Sequence, residues 1–213
     1  ELAYLGETTT PSRCGRMDQC CAFGSQPVLM TFDGDHLETQ PLDVGEDVHL
    51  VIVDLNADKY THTILESLNS AYPFAKNATQ RGLQTLFGPL NRETVLSAVQ
   101  ALKEGDLIQL GALMRAAQKN FDRCAAPICP QELRAPVLHR MLNHPAIQPY
   151  VWGGKGIGSQ GDGSGQLLAR SAEAQRTLIK ILTQELNMPA VAITIHKTAA
   201  RAEIDAQETR ANL

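Results

Sequence analysis

The alternation of hydrophobic and polar positions divides the chain into a strand-rich beginning, a helical middle and a mixed end. At the beginning, residues 27–32 and 49–54 are rich in strand-forming residues, and Asp33-Gly34-Asp35 is typical of a hairpin turn. We therefore predict a small antiparallel sheet over residues 27–55.

The middle of the chain is predicted to be helical, because apolar residues recur there at intervals of three and four. The first helix spans residues 61–86, and Pro73 interrupts or kinks it. Three further helices are predicted, over residues 91–104, 106–121 and 130–142.

The last third of the chain mixes both patterns. Short strands are predicted at residues 151–152, 166–169 and 189–196, and a helix is predicted at residues 171–186. A loop with seven glycines separates the first two of these strands, over residues 153–165. This order of elements indicates an α+β fold, in which a helix layer packs on an antiparallel sheet.

Composition limits the classes of partner. The 213 residues carry a net charge of −4, which gives no cationic footprint for nucleic acid or for an anionic membrane surface. The apolar runs are too short to span a membrane. Five irregularly spaced cysteines and the lack of a signal-peptide pattern indicate a reduced, cytoplasmic protein. We therefore expect neither a nucleic-acid partner nor a membrane partner.

The start of the chain has the composition of the end of a helix already under way. Glu1-Leu2-Ala3-Tyr4-Leu5-Gly6 has no initiator Met. We expect that an N-terminal portion precedes it. A processed or recombinant terminus is the alternative, and composition does not separate the two.

Two stretches have residues suited to chemistry, and the first is Gly153–Gly165. Its glycines let backbone N–H groups approach an anion closely, and Lys155 adds a positive charge for a phosphate. The stretch lacks the P-loop spacing and precedes a strand rather than a helix, which argues against a dinucleotide fingerprint. A flexible surface loop is the alternative interpretation.

The second stretch, Pro11–Gln19, places Asp18 just after a glycine turn and close to Arg13 and Arg16. Neighbouring arginines keep a carboxylate ionised, so that it is ready to accept a proton. The alternative is that Asp18 caps the short helix or turn predicted to follow it.

Four segments of the sequence resemble the GHMP kinases, the family of galactokinase, homoserine kinase, mevalonate kinase and phosphomevalonate kinase. Pro11–Gln19 resembles the family's PxGxMDQ segment, and Gly153–Gly165 resembles its third, glycine-rich motif. Ala71-Tyr72-Pro73 and Leu110–Leu133 resemble further stretches of the sugar kinases. The order of the four segments matches that of the C-terminal portion of a GHMP kinase, on the sugar-kinase side.

The sequence departs from the family pattern in two places. The family's second motif, PxxxGLSSSA, forms most of the nucleotide phosphate loop and is absent here. In the third motif, Gln160 and Asp162 stand in place of glycines. Either this loop is aimed differently, or the chain handles nucleotide differently from the family.

The resemblance implies a GHMP-kinase-like α+β fold of two parts and a tail. Residues 1–55 are the remainder of an N-terminal, S5-like catalytic domain, and residues 56–198 form a C-terminal ferredoxin-like domain of helices on an antiparallel sheet. Residues 199–213 form a polar tail. This division leaves open one further partner, an N-terminal segment that would complete the catalytic domain.

The resemblance also implies an ATP-dependent kinase that phosphorylates a hydroxyl of a sugar-like small molecule, with Mg²⁺ neutralising phosphate charge. Asp18 matches the family's catalytic aspartate. Substrate contacts are implied for Gly15, Arg16 and Tyr72, phosphate contacts for Gly154, Lys155, Gly158, Ser159 and Gly161, and a magnesium ligand for Glu7.

Alternatives remain open at this stage. Tyr72 is equally well a core tyrosine on its helix, and Glu7 an exposed carboxylate at a helix end. For the chain as a whole, the alternatives are a catalytically inactive, sugar-binding sensor with a galactokinase-like fold and one half of a split kinase.

Overall fold

Two separate sheets organise the part of the chain that the computed structural model describes, which comprises residues 5, 6, 9, 17, 26–34 and 36–198. Strands β1 (Val28–Asp33) and β2 (His36–Pro41) form a two-stranded hairpin. The second sheet contains β3 (Val48–Asp54), β4 (Val151–Gly156), β5 (Ser164–Ala169) and β6 (Ala190–Ile195). Its order is β4-β5-β3-β6, and all neighbours are antiparallel.

Strand β3 corrects the prediction of one small sheet over residues 27–55. It pairs with β5 and β6 and not with β1 or β2, so that Leu50 lies opposite both Leu168 and Ile193. The physical reason is burial, because Val51 and Val53 are completely buried whereas more than half of the residues of the β1–β2 hairpin are exposed. A strand as apolar as β3 is favoured inside a sheet whose faces are both covered.

Besides short 3-10 and π-helical segments, seven α-helices lie between residues 61 and 180. They are α1 (Thr61–Ala71), α2 (Ala78–Thr85), α3 (Asn91–Glu104), α4 (Leu107–Cys124), α5 (Pro130–Leu133), α6 (Pro136–Leu142) and α7 (Ala172–Lys180). The predicted interruption near Pro73 is confirmed, since α1 ends at Ala71. The single helix predicted over residues 130–142 is wrong, because Ala135 has a φ of 44° and Pro136 disfavours a helical conformation at the residue before it.

The helices cover both faces of the four-stranded sheet. Helices α6 and α7 pack on one face, where Leu138 and Leu178 contact the apolar side chains of β3 and β5. Helices α3 and α4 pack on the other face, around Val48, Leu168 and Met114. The predicted α+β fold is thus confirmed, and the order of the strands and α7 matches a ferredoxin-like βαββαβ unit. No helix within the described ranges combines the length and apolarity needed to cross a membrane.

Helix α4 lies against strand β4 at a contact between two glycines. A Cβ atom built on Gly153 would lie 2.1 Å from the carbonyl oxygen of Gly111, and a Cβ on Gly111 would lie 2.5 Å from the backbone of Trp152. Any side chain at either position would push the helix away from the strand. The glycine at position 153 is therefore a packing residue.

Candidate functional site

The glycine-rich stretch forms a β-hairpin with a short turn, rather than the loop predicted over residues 153–165. Strand β4 continues to Gly156 and β5 begins at Ser164, so the turn comprises residues 157–163. Gly154 and Lys155 consequently lie on a strand. Gly154 is buried, and a Cβ atom there would lie 2.6 Å from the side chain of Leu167, so close packing accounts for this glycine.

The turn itself depends on left-handed backbone conformations. Gly158 has a φ of 60° and Gly161 a φ of 75°, values that glycine adopts without steric cost. Gln160 between them has a φ of 65°, which is uncommon for a residue with a side chain. Two backbone hydrogen bonds close the turn, from Ile157 N to Ser164 O and from Gln160 N to Ile157 O. These bonds and the left-handed residues give the turn a defined backbone path.

The side chain of Gln160 fills the interior of the turn. Only 6% of the residue is exposed, and its Nε2 donates to the carbonyl oxygen of Gly156 at 3.0 Å. Its Oε1 is buried without a hydrogen-bond partner. An acceptor in that state is costly.

Asp162 contacts helix α6. Its Oδ1 accepts a hydrogen bond of 2.8 Å from the backbone N–H of Leu138, in the first turn of α6. The residue before that helix, Ala135, provides no side-chain cap. Asp162 thus caps α6 from a distance, which explains an acidic residue where the resembled motif has glycine.

We expect Asp162→Ala to lower the free energy of unfolding by about 1 kcal/mol, because it removes the cap of α6. Asp162→Asn should retain most of the stability, since an amide oxygen also accepts from a helix N–H. Urea unfolding of the three proteins measures the difference. Equal losses in both variants would show that the hydrogen bond is not the cause.

Two lysines adjoin the turn. Lys59 Nζ donates to Ser159 Oγ and to the carbonyl oxygen of Gln160, both at 3.2 Å, and Lys155 Nζ donates to the carbonyl oxygen of Gly156 at 2.7 Å. Burial lowers the pKa of both amino groups. Neither lysine forms an ion pair with a carboxylate of the described residues. The turn therefore holds two partly desolvated cations that an anion would stabilise.

Lys59 is the functional candidate that the sequence did not reveal. It lies between β3 and α1, in a segment without a recognisable motif. A Cβ atom on Gly163 would lie 2.6 Å from Lys59 Cε, so the glycine at position 163 makes room for the lysine side chain. The only signal available in the sequence was Gly163, which no motif explained and which lies more than a hundred residues further along the chain.

Replacing Lys155 with methionine should stabilise the fold at neutral pH. Because burial lowers the pKa of Lys155 below the usual 10.5, the unfolded chain binds its proton more tightly than the folded chain does. The stability of the wild-type protein therefore rises with pH between the lowered pKa and 10.5, and Lys155→Met should lose that slope. Urea unfolding across alkaline pH tests this, with the exposed Lys103→Met as the matched control. A less stable Lys155→Met at neutral pH would contradict the expectation.

A cavity of about 210 Å³ opens beside the turn. Lys155, Gly158 and Gln160 line one wall, and Phe87 lines another. The ring of Tyr72 stacks edge-to-face on Phe87 with 5.7 Å between centroids, and Tyr72 is 38% exposed. Tyr72 is thus not a core residue, and no described residue hydrogen-bonds its hydroxyl. Tyr72 does not itself line this cavity and adjoins it only through Phe87.

The other predicted site residues, Glu7, Gly15, Arg16 and Asp18, lie outside the described residues, and their roles stay predictions. The described residues suit the phosphates of a nucleotide, because Lys59 and Ser159 meet at the turn and Lys155 lines the cavity next to it. They do not make a magnesium site by themselves: in the described part of the chain no group of three His, Cys, Asp or Glu residues is placed to hold a metal ion.

Comparison with known proteins gives a likeness in structure. No protein-family model matches the sequence, and no curated protein does so. The chain is similar to L. major mevalonate kinase in complex with R-mevalonate, with a TM-score of 0.62 and 21% identity over 93% of this chain and 57% of that chain. For Lactococcus lactis galactokinase complexed with galactose, the TM-score is 0.59 and the identity 16%, over 93% of this chain and 59% of that chain.

A third similar structure is Streptococcus pneumoniae phosphomevalonate kinase in complex with phosphomevalonate and AMPPNP, with a TM-score of 0.54 and 17% identity over 74% of this chain and 43% of that chain. The chain spans less than three fifths of the length of each of the three kinases. The chain therefore has the α+β fold of these kinases, which are members of the GHMP kinase superfamily.

Proposed function

We propose that the chain is part of a small-molecule kinase that transfers the γ-phosphoryl group of ATP to a hydroxyl of a sugar-like substrate. The observation that carries this proposal is the fold, which follows that of a mevalonate kinase and of a galactokinase over 93% of the chain. The complex of S. pneumoniae phosphomevalonate kinase with AMPPNP supports ATP as the donor. The sugar-like substrate rests on the Met17-Asp18-Gln19 segment and on Tyr72.

The residues have distinct roles in this proposal. ATP supplies the phosphoryl group when it is bound. Lys155 and Lys59 hold positive charge at the turn and attract phosphate oxygens, and their partial burial strengthens that attraction. Asp18 accepts or orients the proton of the acceptor hydroxyl, and Tyr72 offers its free hydroxyl to the substrate. Phosphoryl transfer needs mainly such positioning and neutralisation of charge.

A kinase assay of the full-length gene product tests the proposal. ATP and Mg²⁺ are supplied with a panel of acceptors that contains monosaccharides, mevalonate, phosphomevalonate and homoserine. We expect ATP-dependent phosphorylation of a monosaccharide. Phosphorylation of another acceptor would support the kinase activity and contradict the sugar-like substrate. ATP binding without turnover of any acceptor would contradict the kinase activity.

A binding protein without turnover is the second candidate, and one observation favours it. The side chain of Gln160 occupies the interior of the turn, where the resembled motif leaves the space of a glycine. Calorimetric titration with ATP and with monosaccharides separates the two candidates. Binding of a sugar without binding or hydrolysis of ATP would support the sensor.

A further inference from the structure

A second and larger cavity lies on the other side of helix α4 from the glycine turn. Its volume is about 700 Å³. Helices α4 and α6, strand β4 and Arg170 form its walls, and we call it the α4–α6 cavity. Arg115 and Lys119 face it from α4, whereas Ala117 and Asn120, on the opposite side of the same helix, line the cavity at the turn. The two cavities are therefore separate sites.

The charges of the α4–α6 cavity are unbalanced. Three cationic side chains line it, from Arg115, Lys119 and Arg170, against a single carboxylate, from Asp122. That carboxylate is already engaged, since Asp122 Oδ1 accepts from Gln118 Nε2 at 2.8 Å and lies 3.4 Å from the Nε2 atom of His139. Throughout the described ranges, none of the three cations forms an ion pair with a carboxylate. The cavity thus offers unpaired donors and positive charge to an anion.

Arg170 is held ready for such an anion. Its Nε donates to the carbonyl oxygen of Val151 at 3.0 Å, and its guanidinium carbon lies 4.5 Å from the centre of the Trp152 ring. These two contacts orient the planar group and leave its terminal amino groups without a partner among the described residues. A guanidinium in a fixed orientation suits two oxygens of one phosphate, and little side-chain entropy remains to be lost on binding.

We propose that the α4–α6 cavity binds a phosphorylated small molecule. The phosphate contacts Arg115, Lys119 and Arg170, and the organic part lies against Trp152 and Leu142, which supply the apolar wall. Polar side chains on the same walls, from Asn143 and Gln148, are available to hydroxyl groups of the ligand. This site does not depend on the proposed kinase activity, because it shares no lining residue with the cavity at the turn.

The chain has a built-in reporter for this site. Trp152 is the single tryptophan of the 213 residues and lines the cavity. We expect phenyl phosphate, used as the probe, to change its fluorescence in a saturable way, and phenol to have no such effect at the same concentrations. Phenyl phosphate combines a phosphate with an aromatic ring, as the walls of the cavity require.

Variants of the cationic residues test whether the change in tryptophan fluorescence reports binding at this cavity. The double variant Arg115→Gln/Lys119→Gln should weaken phenyl phosphate binding about tenfold, roughly threefold for each lost charge, because both side chains are exposed to solvent. It should fold normally, because neither side chain has a hydrogen bond to a described residue. Arg176→Gln, which removes an exposed arginine from α7, is the matched control and should bind as the wild type does.

Three results would overturn the proposal. The first is a tryptophan signal that does not saturate, and the second is unchanged affinity in Arg115→Gln/Lys119→Gln. The third is binding that is lost in Lys155→Gln and kept in the double variant, because the phosphate would then be held at the glycine turn. A kinase assay without product would not affect any of these measurements.

Discussion

Replacing Asp18 with asparagine or alanine is expected to lower the turnover number of the full-length gene product by about a hundredfold or more, because a positioned general base contributes at least that much. Asparagine retains the size of the side chain and loses its basicity. If Asp18 acts on the acceptor hydroxyl as proposed, both variants should lose activity to a similar extent. The affinity for ATP should change little, since the proposed contact is with the acceptor and not with the nucleotide.

Steady-state kinetics with the preferred acceptor measure this loss, and thermal unfolding monitors the fold. Asp43→Ala removes an exposed carboxylate outside the proposed site and is the matched control, with activity expected to equal that of the wild type. Wild-type turnover in Asp18→Asn would remove the proposed mechanism. A loss of activity in Asp43→Ala of the same size would show that the effect is not specific to the site.

The sequence pattern predicted most elements and the fold class, because helical periodicity and end signals are local. Asp106 illustrates this, since its Oδ1 accepts from Gln109 N at the start of α4, directly after the left-handed Gly105. The pairing of β3 could not be predicted in the same way. Its partners β5 and β6 lie more than a hundred residues further along the chain, and the nearby hairpin offered a plausible but wrong alternative.

The candidate site was predicted less completely than the fold, because the sequence alone does not show whether a glycine is needed for a turn, for close packing or for ligand binding. Within residues 153–165, Gly158 and Gly161 provide the left-handed turn, whereas Gly153 and Gly154 are needed for packing. The same ambiguity concerned Asp162, whose role as a cap requires a helix that is distant in sequence. Local motifs were sufficient to locate the turn, whereas the role of each of its residues became clear only from tertiary contacts.

The contact between α4 and β4 allows the strongest stability prediction. In Gly153→Ala, the new methyl group would lie 2.1 Å from the carbonyl oxygen of Gly111 and 2.7 Å from its carbonyl carbon. Both atoms belong to a helix backbone, so no rotamer change relieves the clash and the helix must move. We expect the free energy of unfolding to fall by about 3 kcal/mol, at the upper end for overpacked cores. Urea unfolding, followed by the fluorescence of the neighbouring Trp152, measures the change.

Gly82→Ala is the control for Gly153→Ala, because it should raise the free energy of unfolding rather than lower it. Gly82 lies inside α2, and its new methyl group would be 4.0 Å from Cys124, which is an ordinary contact. The free energy of unfolding should therefore rise by roughly 0.5–1 kcal/mol, because alanine has the higher helix propensity.

Gly111→Ala should be about as destabilising as Gly153→Ala, since its methyl group would lie 2.5 Å from Trp152. Because both changes separate the same helix and strand, the double variant should lose clearly less than the sum of the two single losses. Strict additivity would mean that the two glycines do not share one contact and that α4 does not lie on β4 as described.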